Sequence, residues 1–185
     1  MANIVKQKDL VTRSVWNYLT VEMTEDGLLS DVQTFIKHFL SEEVKNPPII
    51  WVWEHPTIPQ PNKTQNLSAK QEVMTTFEFV CACYDPDLSK AQLLSDNLAT
   101  RVGASILKNF NKVKVADDDT GRLFTNVEFE AIYPVSDGAV IAGRSKAVPA
   151  TRIIFNFKYM FDWLKCRRIE EEEIEEEEEV EDGGE

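Results

Sequence analysis

Apolar and polar residues alternate along three long segments of the chain, and this two-residue period predicts β-strands. The segments run from about Lys70 to Tyr84, from Leu123 to Val135, and from Ala150 to about Leu164. Each has one apolar and one more polar face, which is typical of an antiparallel sheet covered on one side. The residues predicted to point inward are Val73, Thr75, Phe77, Phe79, Cys81, Cys83, Val127, Phe129, Ala131, Tyr133, Ile153, Phe155, Phe157, Tyr159 and Phe161.

Three other segments have the three- and four-residue apolar spacing of amphipathic helices. One helix is expected from Asp9 to about Val21, and a second from Ser30, where Ser30 and Gln33 form a capping box. The apolar stripe of this second helix would be Val32, Phe35, Ile36, Phe39 and Leu40. The longest helix is expected from about Asp87 to Asn111, with Leu88, Ala91, Leu94, Leu98, Val102, Ile106 and Phe110 as its stripe.

The segment between the second helix and the first long strand divides into two parts. The run from Ile49 to Trp53 is bounded by prolines and predicts a short strand, with Trp51 and Trp53 on one face. Tryptophan is enriched both in cores and at interfaces, so these two residues fit either setting. Residues 55–68 contain three prolines and no periodicity, and we expect a long exposed loop or arm there.

These elements together predict an α+β fold. We expect an antiparallel or mixed β-sheet packed on one face by helices, with one long central helix and extended loops or β-arms. The 185-residue length suits one domain with a sizeable core.

The negative charge of the chain is confined to its C-terminal end. The formal net charge is -12, and Ile169 to Glu185 hold twelve acidic residues and no basic one. The remaining residues therefore carry equal numbers of acidic and basic side chains. We predict a neutral domain over residues 1–168 and an acidic, disordered tail over residues 169–185.

No pattern of catalytic, metal-binding or cofactor-binding residues is recognisable. The histidines and cysteines, which are the nitrogen and sulfur metal ligands, are scattered without paired spacing. There is no Gly-rich phosphate loop and no nucleophile beside a recognisable base. We therefore expect a protein that is not an enzyme and has no metal site and no cofactor. Cys81 and Cys83 are expected to be buried free thiols.

The chain also lacks signals for secretion or membrane insertion. Its first residues, MANIVKQKDLVTRS, have no apolar core like that of a signal peptide. No stretch approaches the roughly 18 apolar residues of a membrane helix. We expect a soluble intracellular protein with no membrane association.

Residues 136–149, between the last two strands, are too long for a tight turn and include apolar Val140 and Ile141. This segment could extend as a β-arm onto a neighbouring subunit or fold as a hairpin on its own body. Arg144, Lys146 and Arg152 concentrate positive charge around it. They could be solvated strand ends, or a basic rim that meets DNA or an acidic partner.

The order of elements and three segments suggest a family. The segments are FEFVCACYDPDLSKAQLLSDNLATRVGASILKNF, GRLFTNVEFEAIYPV and VPATRIIFNFKYMFDWL. In this pattern the chain resembles the tail terminator proteins, also called tail-to-head joining or tail completion proteins, of long-tailed bacteriophages and archaeal tailed viruses. The resemblance covers about half of the chain and includes no diagnostic motif, and the acidic tail departs from the pattern.

The resemblance implies a structural protein of the virion neck. Such a protein is made in the host cytoplasm, caps the tail tube and joins the tail to the head as a homo-oligomer, a hexameric ring. Its partners would be the tail tube protein and the head–tail connector proteins, and DNA would pass through the lumen without sequence-specific binding. The expected contact residues, for subunits or partners, are Trp51, Trp53, Val140, Ile141, Arg144, Lys146 and Arg152.

The acidic tail suggests an alternative from a different class. The chain could be a non-enzymatic adaptor domain that binds a basic protein through residues 169–185.

Overall fold

The structure, a computed structural model, describes residues 2–32, 34–37, 47–59, 70–110, 124–136, 138 and 147–162. Within these ranges the chain forms an α+β fold, which confirms the predicted fold class. The helices are α1 (Ala2–Thr20) and α2 (Leu88–Asn109). The strands are β1 (Thr34–Lys37), β2 (Ile49–Glu54), β3 (Ile58–Pro59), β4 (Lys70–Ala82), β5 (Phe124–Pro134) and β6 (Ala150–Asp162).

The described strands form one mixed sheet in the order β1-β2-β4-β6-β5, and β3 pairs with β4 beside the end of β2. β1 is parallel to β2, and every other pairing is antiparallel. The proline-rich segment predicted as an exposed loop or arm thus contributes a short strand, Ile58–Pro59, to the sheet. Residues 60–69 of that segment lie outside the described residues.

The central pair of strands is β4 and β6. They pair over 13 residues each without a register shift, from Lys70 opposite Asp162 to Ala82 opposite Ala150. Their alternation places the predicted apolar positions on one face, where Phe77, Phe79, Phe155 and Phe157 are fully buried. Burying each of these side chains contributes about 1.5–3 kcal/mol, so this face supplies much of the folding free energy.

α2 packs on that apolar face through small residues together with Leu98, Val102 and Ile106. Asp87 caps the helix by accepting hydrogen bonds from the amides of Ser89 and Lys90. A side chain at Gly103 would place its Cβ 2.9 Å from Ile153 Cδ1, so glycine permits the close approach of helix and sheet. The buried residues of the helix are Ala91, Ser95, Leu98, Ala99, Val102, Gly103, Ser105, Ile106 and Asn109.

The predicted apolar stripe of α2 is wrong at two positions. Leu88 and Leu94 are exposed, whereas Ser95 and Ala99 are buried. The buried face of α2 combines small residues with Leu98, Val102 and Ile106, and Leu88 and Leu94 lie outside it.

The helix predicted from Ser30 is also wrong where the structure describes it. Thr34–Lys37 is β1, which pairs with Ile49–Val52 of β2. Phe35 contacts Trp16 of α1, with 3.8 Å between ring centroids. The outer side of β2 offers hydrogen-bond partners, and tertiary pairing overrides the local helical pattern there. Residues 38–46 lie outside the described residues.

β5 departs from the alternation predicted for it. Its register with β6 shifts between Phe124 and Asn126 and again between Phe129 and Ala131. A bulge adds one residue and reverses which side chains face inward beyond it. Tyr133, predicted to point inward, therefore lies on the opposite face beside Arg152, while Val127 is buried as predicted.

The second face of the sheet carries a small apolar cluster at one end. Its buried residues are Ile49, Trp51, Val80, Ala82, Val148 and Ala150. Trp51 is only 3% exposed and belongs to this cluster, whereas Trp53 on the same strand is 46% exposed. Trp51 is therefore a core residue, whereas Trp53 lies at the surface of the chain.

A buried carboxylate joins the connection after α1 to the end of α2. Glu22 accepts hydrogen bonds from Asn109 Nδ2 at 2.8 Å and from the Leu28 amide at 3.2 Å. Lys108 Nζ lies 2.8 Å from Glu22 Oε1. The hydrogen bonds from Asn109 and Lys108 lower the pKa of Glu22 from 4.5 to about 2. Because the folded state holds this pKa down, Glu22 stabilises the fold above its ordinary pKa.

Glu22→Gln should lower the free energy of unfolding at neutral pH by about 1–3 kcal/mol, because a buried charged acceptor is lost. The difference from the wild type should shrink as the pH falls from about 4.5 towards 2, where the wild-type carboxylate becomes protonated. Urea unfolding at several pH values measures both effects. Glu25→Gln, at an exposed position of the same connection, is the matched control. An equal loss in both variants would contradict the role of Glu22.

A second buried polar contact links α2 to two strands. The Ser95 hydroxyl accepts a hydrogen bond from the Cys83 amide at 2.9 Å. It also lies 2.9 Å from the Ala91 carbonyl and 3.0 Å from the Pro149 carbonyl, both of which can accept its proton. This residue fixes the start of the helix against the end of β4 and the start of β6.

Ser95→Ala should lower the free energy of unfolding by about 1–3 kcal/mol, because a buried amide and carbonyl lose their partner. Thr100→Ala provides the control on the same helix, since its exposed hydroxyl bonds the Asp96 carbonyl and its loss should cost less than about 0.5 kcal/mol. Urea unfolding of both variants checks the difference. A Ser95→Ala variant as stable as Thr100→Ala would show that the hydroxyl is not needed.

Candidate functional site

Three apolar side chains are exposed where α2 meets the outermost described strand on that side, β5. Phe129 is 51% exposed, Ile132 is 42% exposed, and Leu107 of α2 is also exposed. Phe129 and Ile132 lie opposite Phe155 and Ile153, the two residues that Gly103 of α2 approaches. We call Leu107, Phe129 and Ile132 the edge patch.

The edge patch is exposed because the long helix is narrower than the sheet. A helix is about 10 Å across and neighbouring strands lie about 4.8 Å apart, so α2 covers the width of about two strands. α2 packs mainly on β4 and β6. α1 contacts the first residue of β5, because Tyr18 of α1 makes an edge-on contact with Phe124. Phe129 therefore packs edge-on against Phe155, with its other side in solvent.

β5 has features that oppose backbone pairing along its outer edge. The two register shifts interrupt the ladder, and Pro134 at the end of the strand has no N–H to donate. Glu128 is held by Lys158 at 2.6 Å and Glu130 by Asn156 at 2.8 Å. These bonds place both carboxylates on the face opposite the helices. Contact at this edge would depend on side chains more than on strand addition.

A second exposed apolar group lies at the β2–β3 side of the sheet. Trp53 is 46% exposed and Ile58 is 48% exposed. Trp53 lies opposite Glu78, and Ile58 lies opposite Met74. Both side chains share the face that is opposite the helices. We call Trp53 and Ile58 the Trp53 patch.

The Trp53 side chain is positioned by a network of polar groups. The ring of His55 stacks on that of Trp53, with 6.3 Å between centroids and 25° between planes. His55 Nε2 lies 3.3 Å from Glu78 Oε2, and the His55 amide donates to the Thr76 carbonyl at 2.9 Å. The indole is therefore held on the sheet while remaining exposed.

Arg152, predicted as a contact residue, belongs to the same network. Its Nε lies 2.8 Å from Glu78 Oε1, and its guanidinium lies 5.6 Å from the centre of the Tyr133 ring. The charge of Arg152 is thus balanced within the sheet. Val140, Ile141, Arg144 and Lys146, the other predicted contact residues of this region, lie outside the described residues.

The base of the β5–β6 connection is closed in the manner of a hairpin. The Val135 amide donates to the Ala150 carbonyl at 2.9 Å, and the Gly138 amide donates to the Val135 carbonyl at 3.0 Å. Gly138 has a φ of 66°, and a Cβ there would meet the Val148 carbonyl oxygen at 2.5 Å. Glycine is therefore required at this position. The β-arm and hairpin alternatives for residues 136–149 stay open, because residues 139–146 lie outside the described residues.

Sequence reasoning missed most members of the two patches. Phe129 was predicted to point inward. It lies on the predicted face of the sheet, but its side chain is not buried there. Ile58 was assigned to a loop. Trp53 was a predicted contact residue, and the structure leaves it exposed.

The described ranges contain no group of three or more His, Cys, Asp or Glu side chains that could hold a metal ion. Neither α1 nor α2 is long and apolar enough to cross a membrane. Cys81 and Cys83 are buried free thiols, as predicted. Burial raises the pKa of Cys83 to about 11 and raises that of Cys81 further. Thiols in such surroundings are poor nucleophiles at neutral pH.

The chain matches no family model, and no curated protein sequence matches it significantly. The two apolar patches are therefore the features of the described chain from which a function can be argued.

Cys81 and Cys83 should resist a water-soluble thiol reagent in the native protein, because both are buried and their thiolate forms are disfavoured. Cys166→Ser removes the third cysteine, so the variant reports on these two alone. Thiol titration should give little reaction in buffer and two equivalents in denaturant. Rapid reaction of two thiols without denaturant would contradict the buried positions.

Proposed function

We propose that this protein is a non-enzymatic structural protein that acts by binding copies of itself and neighbouring proteins. The observation that carries the proposal is the edge patch, where Phe129 and Ile132 remain about half exposed on an outermost described strand. Contiguous exposed apolar surface is typical of a protein–protein interaction site. The Trp53 patch adds an exposed tryptophan, a residue type common among interface hot spots.

Among structural proteins, we propose a tail terminator or related neck component that caps a tail tube and joins tail to head through ring assembly. The support is the family resemblance together with an α+β fold of the kind it implies, with one long helix on a largely antiparallel sheet. A shared fold does not establish a function, so the assignment depends on assembly. The proposed partners are further copies of the chain, a tail tube protein and head–tail connector proteins. Its proposed location is the virion neck.

The proposal predicts that the purified full-length chain forms an oligomer, and a hexamer in the ring version. Light scattering after gel filtration over a concentration series should give a mass several times that of the 21.2 kDa chain. Electron microscopy of the same peak should show closed rings. A chain that remains monomeric at the highest concentration and does not bind tail tubes would contradict the proposal.

A variant without residues 169–185 separates this function from the adaptor alternative. Ring assembly by the patches predicts that the shortened chain forms the same oligomer. If the full-length chain is instead monomeric and binds a basic protein only when the tail is present, the adaptor alternative is correct. The shortened chain should keep the unfolding midpoint of the full chain in both cases.

A further inference from the structure

We infer that Glu78 is the positioning residue of the surface through which the Trp53 patch contacts a second copy. This inference rests on the proposed function, in which exposed apolar side chains carry the contacts between copies. It assigns to one buried carboxylate the placement of two exposed aromatic side chains, Trp53 and Tyr133. Both lie on the second face of the sheet, opposite the helices.

Glu78 is the charged member of an otherwise apolar row that crosses the sheet. It is only 7% exposed, and the residues in register with it are Trp53 on β2, Ile154 on β6 and, beyond β6, Ala131 on β5. Burying an ion pair costs desolvation, and apolar side chains of similar volume are often equally stable or more stable in its place. Stability alone therefore does not account for a glutamate at this position.

The two carboxylate oxygens of Glu78 lead to the two aromatic side chains. Oε2 lies 3.3 Å from His55 Nε2, and the His55 ring stacks on Trp53. Oε1 lies 2.8 Å from Arg152 Nε. The Arg152 guanidinium lies 5.6 Å from the centre of the Tyr133 ring, and its Nη1 lies 3.3 Å from the Tyr133 hydroxyl. One carboxylate thus connects side chains from β2 to β5.

Both aromatic side chains remain accessible on this face. Trp53 is 46% exposed and Tyr133 is 40% exposed, and their strands are three strand spacings, about 14 Å, apart. Tryptophan and tyrosine are enriched among interface hot spots. A side chain that is already held in place loses less conformational entropy when a partner binds. Glu78 therefore favours binding by fixing both aromatic side chains before the contact forms.

The second register shift of β5 is required for this arrangement. Without the shift between Phe129 and Ala131, Tyr133 would lie on the helix-covered face, as the alternation of the sequence predicts. The shift places Tyr133 opposite Arg152, where it joins the Glu78 network. Bulges in other sheets likewise redirect single side chains.

Two substitutions in the full-length chain separate positioning from stability. Glu78→Leu removes both contacts and adds an apolar side chain of similar volume to the row. Glu78→Gln keeps the shape and can still bond to His55 and Arg152. Glu128→Gln is the matched control, because Glu128 lies on the same face and is paired with Lys158 at 2.6 Å. Urea unfolding of each variant establishes that it is folded.

The first readout is the mobility of the Trp53 side chain in protein labelled with 5-fluorotryptophan. Trp53→Phe identifies the fluorine resonance of Trp53 by its loss. In the monomer, Glu78→Leu should narrow this resonance and move it towards its position in denaturant. Glu78→Gln and Glu128→Gln should leave it close to that of the wild type. An unchanged resonance in Glu78→Leu would overturn the inference.

The second readout is the concentration at which half of the chain is assembled, measured by light scattering. Glu78→Leu should raise this concentration about tenfold, because two aromatic side chains must then be fixed on binding. Glu78→Gln and Glu128→Gln should stay close to the wild-type value. If Glu78→Leu is folded and assembles like the wild type, Glu78 does not position the contact and the inference is wrong.

His55→Ala replaces Glu78→Leu if that variant does not fold, since it removes the contact with Trp53 and leaves the pair of Glu78 and Arg152 intact. The same two readouts apply to it, with the same expected directions. A monomeric wild type would contradict the proposed function itself, and the fluorine resonance would still decide whether Glu78 holds Trp53 in place.

Discussion

The uninterrupted ladder between β4 and β6 is the constraint on which the rest of the structure depends. Its register places four phenylalanines on one face, and α2 must cover them. Close coverage requires small residues on the helix, which explains Gly103 and the buried Ser95. A single helix in that position cannot also cover β5. The exposed Phe129 and Ile132 are therefore a direct consequence of how the central strands are packed.

Buried polar contacts fix the helices where the ladder alone would allow them to slide. Ser95 holds the start of α2, and Glu22 holds its end through Lys108 and Asn109. Each contact contributes about 1 kcal/mol net, which is less than the burial of one phenylalanine. Their importance is positional, because an apolar face allows many helix placements and an unpaired buried polar group excludes most of them.

The parts of the fold that the sequence predicted well are those whose local pattern agrees with their tertiary setting. The alternation of β4 and β6 and the start of α2 near Asp87 were recognisable because their local patterns agree with the tertiary setting. The strand Thr34–Lys37 was missed because its apolar residues also fit a helical stripe. It forms a strand because it pairs with β2, and the local sequence pattern does not show that pairing. The reversal at Tyr133 was missed because a bulge leaves no clear signal in the residues themselves.

The candidate surfaces were less predictable than the fold for the same reason. An alternating pattern indicates which face a residue occupies, but not whether a helix is wide enough to cover it. Phe129 was placed on the correct face, and its exposure follows from the width of α2. Trp51 and Trp53 lie on the same face of the sheet and are the same residue type. Only Trp51 belongs to the buried cluster that includes Val148 and Ala150. These differences arise from neighbours that are distant in sequence.

Hydrogen exchange at increasing protein concentration tests the central claim, contact between copies through the two patches, most directly. The account predicts that outer amides of β5 and amides of residues 53–59 gain protection together as the oligomer forms. Amides around Leu88 and Leu93, on the exposed side of α2, should not change. Protection in neither region, or in β5 alone, would contradict the account.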